Sequence, residues 1–112
     1  MSQLTTHILD TSIGKPAEGV SVILEQHKSG SWKKYAEGIS NKDGRISDLL
    51  VPGQHLDKGS YRLVFDSSSY FKKLDKKTFY PSITIEFEIS DNSHYHVPLL
   101  LNPYGYSTYR GS

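Results

Sequence analysis

The sequence predicts an all-β sandwich carrying one short α-helix. Short runs of alternating apolar and polar residues recur along the chain, which is the pattern of half-buried strands. Gly, Pro, Asn and Asp punctuate those runs at short intervals. Helical spacing is found in a single stretch, around residues 66–74.

Leu4 to Asp10 reads as the first strand, and Gly14-Lys15-Pro16 as a turn or loop. Gly19 to His27 is the second strand, with Val20, Val22 and Leu24 on one face. After a Ser29-Gly30 turn, Ser31 to Ser40 forms a third strand that puts Trp32 and Ala36 on one face. Asn41-Lys42-Asp43-Gly44 is the strongest hairpin signal, because Asp-Gly supplies the positive φ such a turn needs. Arg45 follows it directly. A longer loop begins at Pro52-Gly53. Ser60 to Phe65 is a strand with Tyr61, Leu63 and Phe65 inward.

Asp66 and Ser67 can cap a helix of about two turns, whose apolar stripe is Tyr70, Phe71 and Leu74. Ile83, Ile85, Phe87 and Ile89 alternate with Thr84, Glu86, Glu88 and Ser90, which is the cleanest half-buried strand. His94 to Leu101 and Tyr104 to Arg110 are the last two strands, joined by a turn at Asn102-Pro103-Tyr104-Gly105. Pro98 cannot donate to a ladder and belongs on an edge or at a bulge. A local break in pairing there either aims His96 into a cleft or simply marks an irregular strand end.

With 112 residues the chain is read as one domain, residues 1–112. Lys plus Arg is 13 against 12 Asp plus Glu, a net charge of +1. That balance argues against a nucleic-acid binder working through bulk charge. Cysteine is absent, so thiolate chemistry is excluded, and a reducing compartment is the expectation. No apolar run reaches the roughly 18 residues of a membrane span. No signal peptide is read at the N-terminus. The expected location is the cytoplasm.

The chain has five histidines. His27 and His55 lie beside turns and are read as solvated. His94 and His96, two apart on a strand, point to one face. With His7 they offer three imidazoles, but the chain has no His-Glu-x-x-His signal and no cysteine. A native metal is not expected. The chain closes on Tyr109-Arg110-Gly111-Ser112, a strand-like aromatic run ending in a cation, a flexible residue and a hydroxyl. A polar site built partly from this segment is the candidate. Imidazole titrates near neutrality and can activate water. Guanidinium offers a planar fork to carbonyl or anionic edges. Together they suit hydrolysis of an anionic, planar, nitrogen-rich substrate.

Several motifs together resemble one family. They are Leu4-Thr-Thr-His7-Ile-Leu-Asp-Thr11 with Gly14-Lys-Pro-Ala17, Asn41-Lys-Asp-Gly-Arg45, His94-Tyr-His-Val-Pro-Leu-Leu-Leu101 and Tyr104-Gly-Tyr-Ser-Thr-Tyr-Arg-Gly-Ser112. In order and spacing they are similar to the 5-hydroxyisourate hydrolases, the transthyretin-like enzymes of urate breakdown. The resemblance spans essentially the whole chain. It implies a transthyretin-like β-sandwich of two four-stranded sheets with one short helix. The eighth strand would be a short one near Arg45 to Asp48. It implies a homotetramer, a dimer of dimers, with active sites in the channel where dimers meet.

The resemblance further implies hydrolysis of 5-hydroxyisourate to 2-oxo-4-hydroxy-4-carboxy-5-ureidoimidazoline, with no cofactor and no metal. His7, Arg45, His96 and Ser112 would be catalytic. His7, Arg45, Tyr109, Arg110 and Gly111 would bind substrate. Either His7 or His96 can be the base. Arg110 can touch substrate or the terminal carboxylate. Two rival readings are a carrier of a hydrophobic ligand in the tetramer channel and an immunoglobulin-like interaction module. Both rivals gain if His7, Arg45 and His96 lie more than ~10 Å apart with no shared cavity.

Overall fold

The structure, a computed structural model, describes residues 2–112. In chain order its elements are β1 (Leu4–Asp10), β2 (Lys15–Pro16), β3 (Ser21–Lys28), β4 (Ser31–Ile39), β5 (Arg45–Ile46), β6 (Gly59–Phe65), α1 (Ser67–Lys73), β7 (Ile83–Ile89), β8 (Tyr95–Asn102) and β9 (Gly105–Thr108). They form two sheets. One has the order β4-β3-β6-β7, all antiparallel. The other has five strands, β2-β1-β8-β9 with β5 also on β1.

The expectation of two four-stranded sheets is corrected here. Lys15–Pro16, read as a turn, pairs with Leu9 and Asp10, while Arg45–Ile46 pairs with Thr6 and His7. These two short strands lie end to end along one edge of β1. Five strands therefore occupy four lanes.

The core lies between the sheets. Alternation sends Leu4 and Ile8 of β1 and Val97, Leu99 and Leu101 of β8 inward, all buried. Facing them are Val22, Leu24, Tyr61, Leu63, Phe65, Ile83, Ile85 and Ile89. Burying each large side chain is worth about 1.5–3 kcal/mol. The helix closes one end. Asp66 caps it by accepting from the Ser69 backbone N–H at 3.2 Å. Tyr70 and Phe71 are buried, and the Tyr70 hydroxyl donates to the buried Asp10 carboxylate at 2.7 Å. Leu74 falls at the C-cap and is 42% exposed, so the stripe is one residue shorter than its spacing implied.

Two further expectations fail for physical reasons. Trp32 and Ala36 do not share a face, because the β3–β4 register slips between Leu24 and Glu25. Leu24 pairs with Ala36 but Glu25 with Lys34, which leaves Tyr35 as the extra residue of a bulge. A bulge reverses the alternation beyond it. Trp32 consequently lies on the outer face, where the Arg62 guanidinium stacks 4.3 Å from its ring centroid. The Asp43-Gly44 turn forms as expected, with Gly44 at φ 73 and its N–H donating to the Asn41 carbonyl at 2.8 Å. It does not make a hairpin within one sheet. It carries the chain from β4 in one sheet to β5 in the other.

That crossing is tightly held. The Ile8 N–H donates to the Gly44 carbonyl at 2.7 Å, and the Asn41 side-chain oxygen accepts from Asp43 and Arg45 N–H groups at 2.9 and 3.0 Å. A methyl group on Gly44 would drive into the Ile8 carbonyl oxygen. Gly44→Ala should therefore destabilise the protein by at least the ~1–2 kcal/mol of a left-handed non-glycine residue. A denaturant-midpoint comparison at unchanged m-value measures it.

Candidate active site

The outer face of the five-stranded sheet carries the candidate residues. On β1, alternation that buries Leu4, Thr6 and Ile8 turns Thr5 and His7 outward. β8 runs parallel to β1 with Thr5 opposite His96 and His7 opposite Pro98. β5 sets Arg45 opposite His7 on the other edge of β1. Three strands thus bring residues far apart in sequence onto one surface.

Pro98 is not on an edge. It sits in central β8, between β1 and β9. The β8–β9 ladder stops at Leu99↔Thr108 and resumes only at an isolated His96↔Gly111 bridge. The missing proline N–H explains the gap. The Pro98 carbonyl is satisfied instead by the Thr108 hydroxyl at 2.7 Å. Below the gap the Gly111 N–H donates to the His96 carbonyl at 2.8 Å, which brings the last residues back against His96.

There a cavity of about 250 Å³ opens, lined by Thr5, Arg45, Ser47, His94, His96 and Ser112 among others. That volume suits a small heterocycle rather than a drug-sized ligand. Arg45 and His96 therefore share a cavity with Ser112. His7 stands beside it, close enough to His96 and Arg45 for their charges to act on one another. The criterion that would have favoured the rival readings is not met.

The structure does not bring Tyr109 and Arg110 to this cavity. Arg110 is one residue from Gly111 and so faces the opposite side of the sheet. Its guanidinium lies 4.2 Å from the Tyr95 ring centroid and donates to the Ser93 hydroxyl at 3.3 Å and the His94 carbonyl at 3.4 Å. Tyr109 and Arg110 line a separate cavity of about 350 Å³ with Ile85, Phe87 and Val97. Gly111 is required where it stands: a Cβ there would meet His96 Cδ2 at 2.6 Å.

Thr5, Ser47 and His94 join the site without having been assigned to it. The shared face of His94 and His96 was legible. The register that places Thr5 beside them was not. The Thr5 hydroxyl is 2.7 Å from His96 Nδ1 and 3.0 Å from His94 Nε2. The two imidazole planes are 18° from parallel, with centroids 6.3 Å apart. His27 and His55 are exposed, as read. Among the described residues no three His, Cys, Asp or Glu side chains are grouped to hold a metal ion.

The electrostatics favour neutral imidazoles. Partial burial holds His7 below its ordinary value of 6.5, and the Arg45 cation lowers it further, against an opposing pull from Asp43. His96 is lowered by burial first, then by Arg45, His94 and His7. At neutral pH both rings keep a lone pair able to accept a proton.

Comparisons with known proteins place this geometry. Residues 4–111 match the model of the HIUase/Transthyretin family. The chain is 51% identical over 110 residues to the 5-hydroxyisourate hydrolase of Salmonella dublin, covering 97% of this chain and 80% of that one. It superposes on the 5-hydroxyisourate hydrolase of Klebsiella pneumoniae with a TM-score of 0.86 at 38% identity, covering 97% of this chain and 98% of that one. Sea bream transthyretin in complex with thyroxine superposes with a TM-score of 0.91 at 29% identity, covering 98% and 95%. Transthyretin fits the backbone slightly better and the sequence less well.

Histidine-resolved NMR titration tests the electrostatics. His7 and His96 should both titrate below 6.5. Arg45→Met should move both upward, because removing a nearby cation favours the charged imidazole. Unmoved midpoints would show that Arg45 does not act on these rings.

Proposed function

The chain belongs to the HIUase/Transthyretin family, and from that premise we propose that it is an enzyme hydrolysing 5-hydroxyisourate in urate breakdown. The observation that carries the reading is the cavity in which Arg45, His96 and Ser112 converge, with His7 beside it. A carrier of hydrophobic hormone has no use for imidazoles, a guanidinium and a hydroxyl around a small hollow. The hydrolase relatives share the name and more of the sequence.

His96 takes the part of general base. Its ring lines the cavity and is neutral at pH 7, so it can accept a proton from water as the water oxygen bonds to the lactam carbonyl carbon. Arg45 offsets the charge that gathers on the carbonyl oxygen. The ring C–N bond then breaks, and the departing nitrogen takes a proton. His7, beside the cavity, orients the ring or returns that proton. The product, 2-oxo-4-hydroxy-4-carboxy-5-ureidoimidazoline, carries the new carboxyl group and the freed urea nitrogen. Ser112 positions the substrate or the imidazole. Arg110 acts at one remove: its bond to the His94 carbonyl ties down the approach to β8, the segment that carries His94 and leads into His96.

The wider reading takes in a single hydrolase domain, a cytoplasmic location and a homotetramer. Within the chain, β9 and β7 end their sheets, so each has an outer edge free to pair with another copy. Tyr104 and Tyr109 are 69% and 60% exposed, apolar area that association would cover. No helix among the described residues is long and apolar enough to cross a membrane.

Urate oxidised in place by a uricase supplies fresh substrate, and its ultraviolet decay should be faster with this protein than without. His96→Asn should lose about 10²–10⁴-fold, the usual worth of acid–base help. Gly111→Ala should lose activity too, since the His96 ring must move, while thermal stability changes little. Decay at the uncatalysed rate with folded protein would turn the reading towards a carrier. Sedimentation equilibrium should return the mass of four chains, and a monomer mass would remove the tetramer.

A further inference from the structure

The Thr5 hydroxyl stands between two imidazoles, 2.7 Å from His96 Nδ1 and 3.0 Å from His94 Nε2. A hydroxyl has one hydrogen to donate and lone pairs to accept with. It can therefore donate to only one of these rings while accepting from the other. We propose that Thr5 is a positioning residue that, with His94 as its acceptor, sets which nitrogen of His96 carries the proton.

Two arrangements satisfy both contacts. In one, His96 Nδ1–H donates to Thr5, and the Thr5 O–H donates to His94 Nε2. In the other, both bonds run in reverse. The first leaves His96 Nε2 with its lone pair, while the second puts a hydrogen there and removes the base. The shorter contact is the one to His96, which must also keep its bond when the ring becomes an imidazolium. Only the first arrangement survives that change without the hydroxyl turning round. It is therefore the arrangement compatible with taking a proton from water and giving it back.

The surroundings act in the same direction. His96 faces Arg45 from β5, His7 from β1 and His94 from just ahead of β8; the Arg45 cation opposes a second proton on the ring, as a protonated His94 or His7 would, and only the Thr5 backbone pulls the other way. Arg110, in the segment after β9, is turned away over Tyr95. Among the described residues no carboxylate pairs with His96 to hold the ring. Thr5 supplies the only side-chain hydrogen bond to His96 among the described residues. The β1–β8 register, with Thr5 directly opposite His96, holds that hydroxyl in place.

The role in turnover rests on the hydrolase reading, but the tautomer can be measured without substrate. Nitrogen-15 imidazole spectra of the wild-type protein near pH 8 should show His96 protonated at Nδ1 and His94 bare at Nε2. A His96 protonated at Nε2 would overturn the proposal outright. Thr5→Val keeps shape and loses the hydroxyl. It should leave His96 as a mixture of tautomers and cut kcat by up to about 10²-fold, the scale of loss when a reacting group is misplaced, with KM little changed. Thr5→Ser should restore both. Wild-type kcat in a folded Thr5→Val protein, or failure of serine to rescue, would overturn it as well. An inactive wild-type protein with the expected tautomers would sink the hydrolase reading alone.

Discussion

The rest of the structure depends on one ladder, the parallel pairing of β1 with β8. Seven residue pairs, from Leu4↔Tyr95 to Asp10↔Leu101, join the two ends of the chain. Closing a loop of some ninety residues costs entropy that grows only slowly with length. The ladder offsets it by burying Leu4, Ile8, Val97, Leu99 and Leu101 on one side. It also makes β1 and β8 the middle of their sheet, with β2 and β5 on one flank and β9 on the other. Its contacts are non-local, so the site exists only once these distant segments have paired.

The same ladder divides labour between its faces. Inward residues make the core: most are apolar, and the buried Thr6 and Asp10 among them are hydrogen-bonded, Thr6 to the Val97 carbonyl and Asp10 to the Tyr70 hydroxyl. Outward residues are Thr5, His7, His96 and Pro98, and they make the site. Stability and chemistry are separated by a single peptide step, because successive strand residues face opposite ways. Pro98 and Gly111 refine the outward face. The proline interrupts pairing with β9, and the glycine lets the returning backbone lie against the His96 ring. Polar groups clustered there are partly buried yet keep access to solvent, the condition in which imidazole stays neutral and usable.

The comparison structures show why such a site, and not the sandwich, must decide function. Transthyretin holding thyroxine overlays this chain at least as well as a hydrolase does. Backbone likeness reports shared packing of the inner faces. A superposition of Cα positions says nothing of which side chains stand on the outward face. Arg45, His96 and Ser112 around one small cavity speak to chemistry in a way the overlay cannot.

By itself the sequence determined everything that depends on near neighbours. Alternation located β1 from Leu4 to Asp10 and the inward run of Ile83, Ile85 and Ile89. Asp66 marked the helix start and Asp43-Gly44 the turn that presents Arg45. The motifs around His7, Arg45 and His96 pointed to the family. Tertiary structure decided what depends on register between distant strands. The bulge at Tyr35 turned Trp32 outward, and β2 found a partner in β1 that no local signal announced. Arg110 was sent to the far side of the sheet by its offset from the His96↔Gly111 bridge. Thr5 came to lie beside His96 across 91 positions. Periodicity is a property of a few successive residues. Which strand lies opposite which, and at what offset, is chosen by the packing of the whole core.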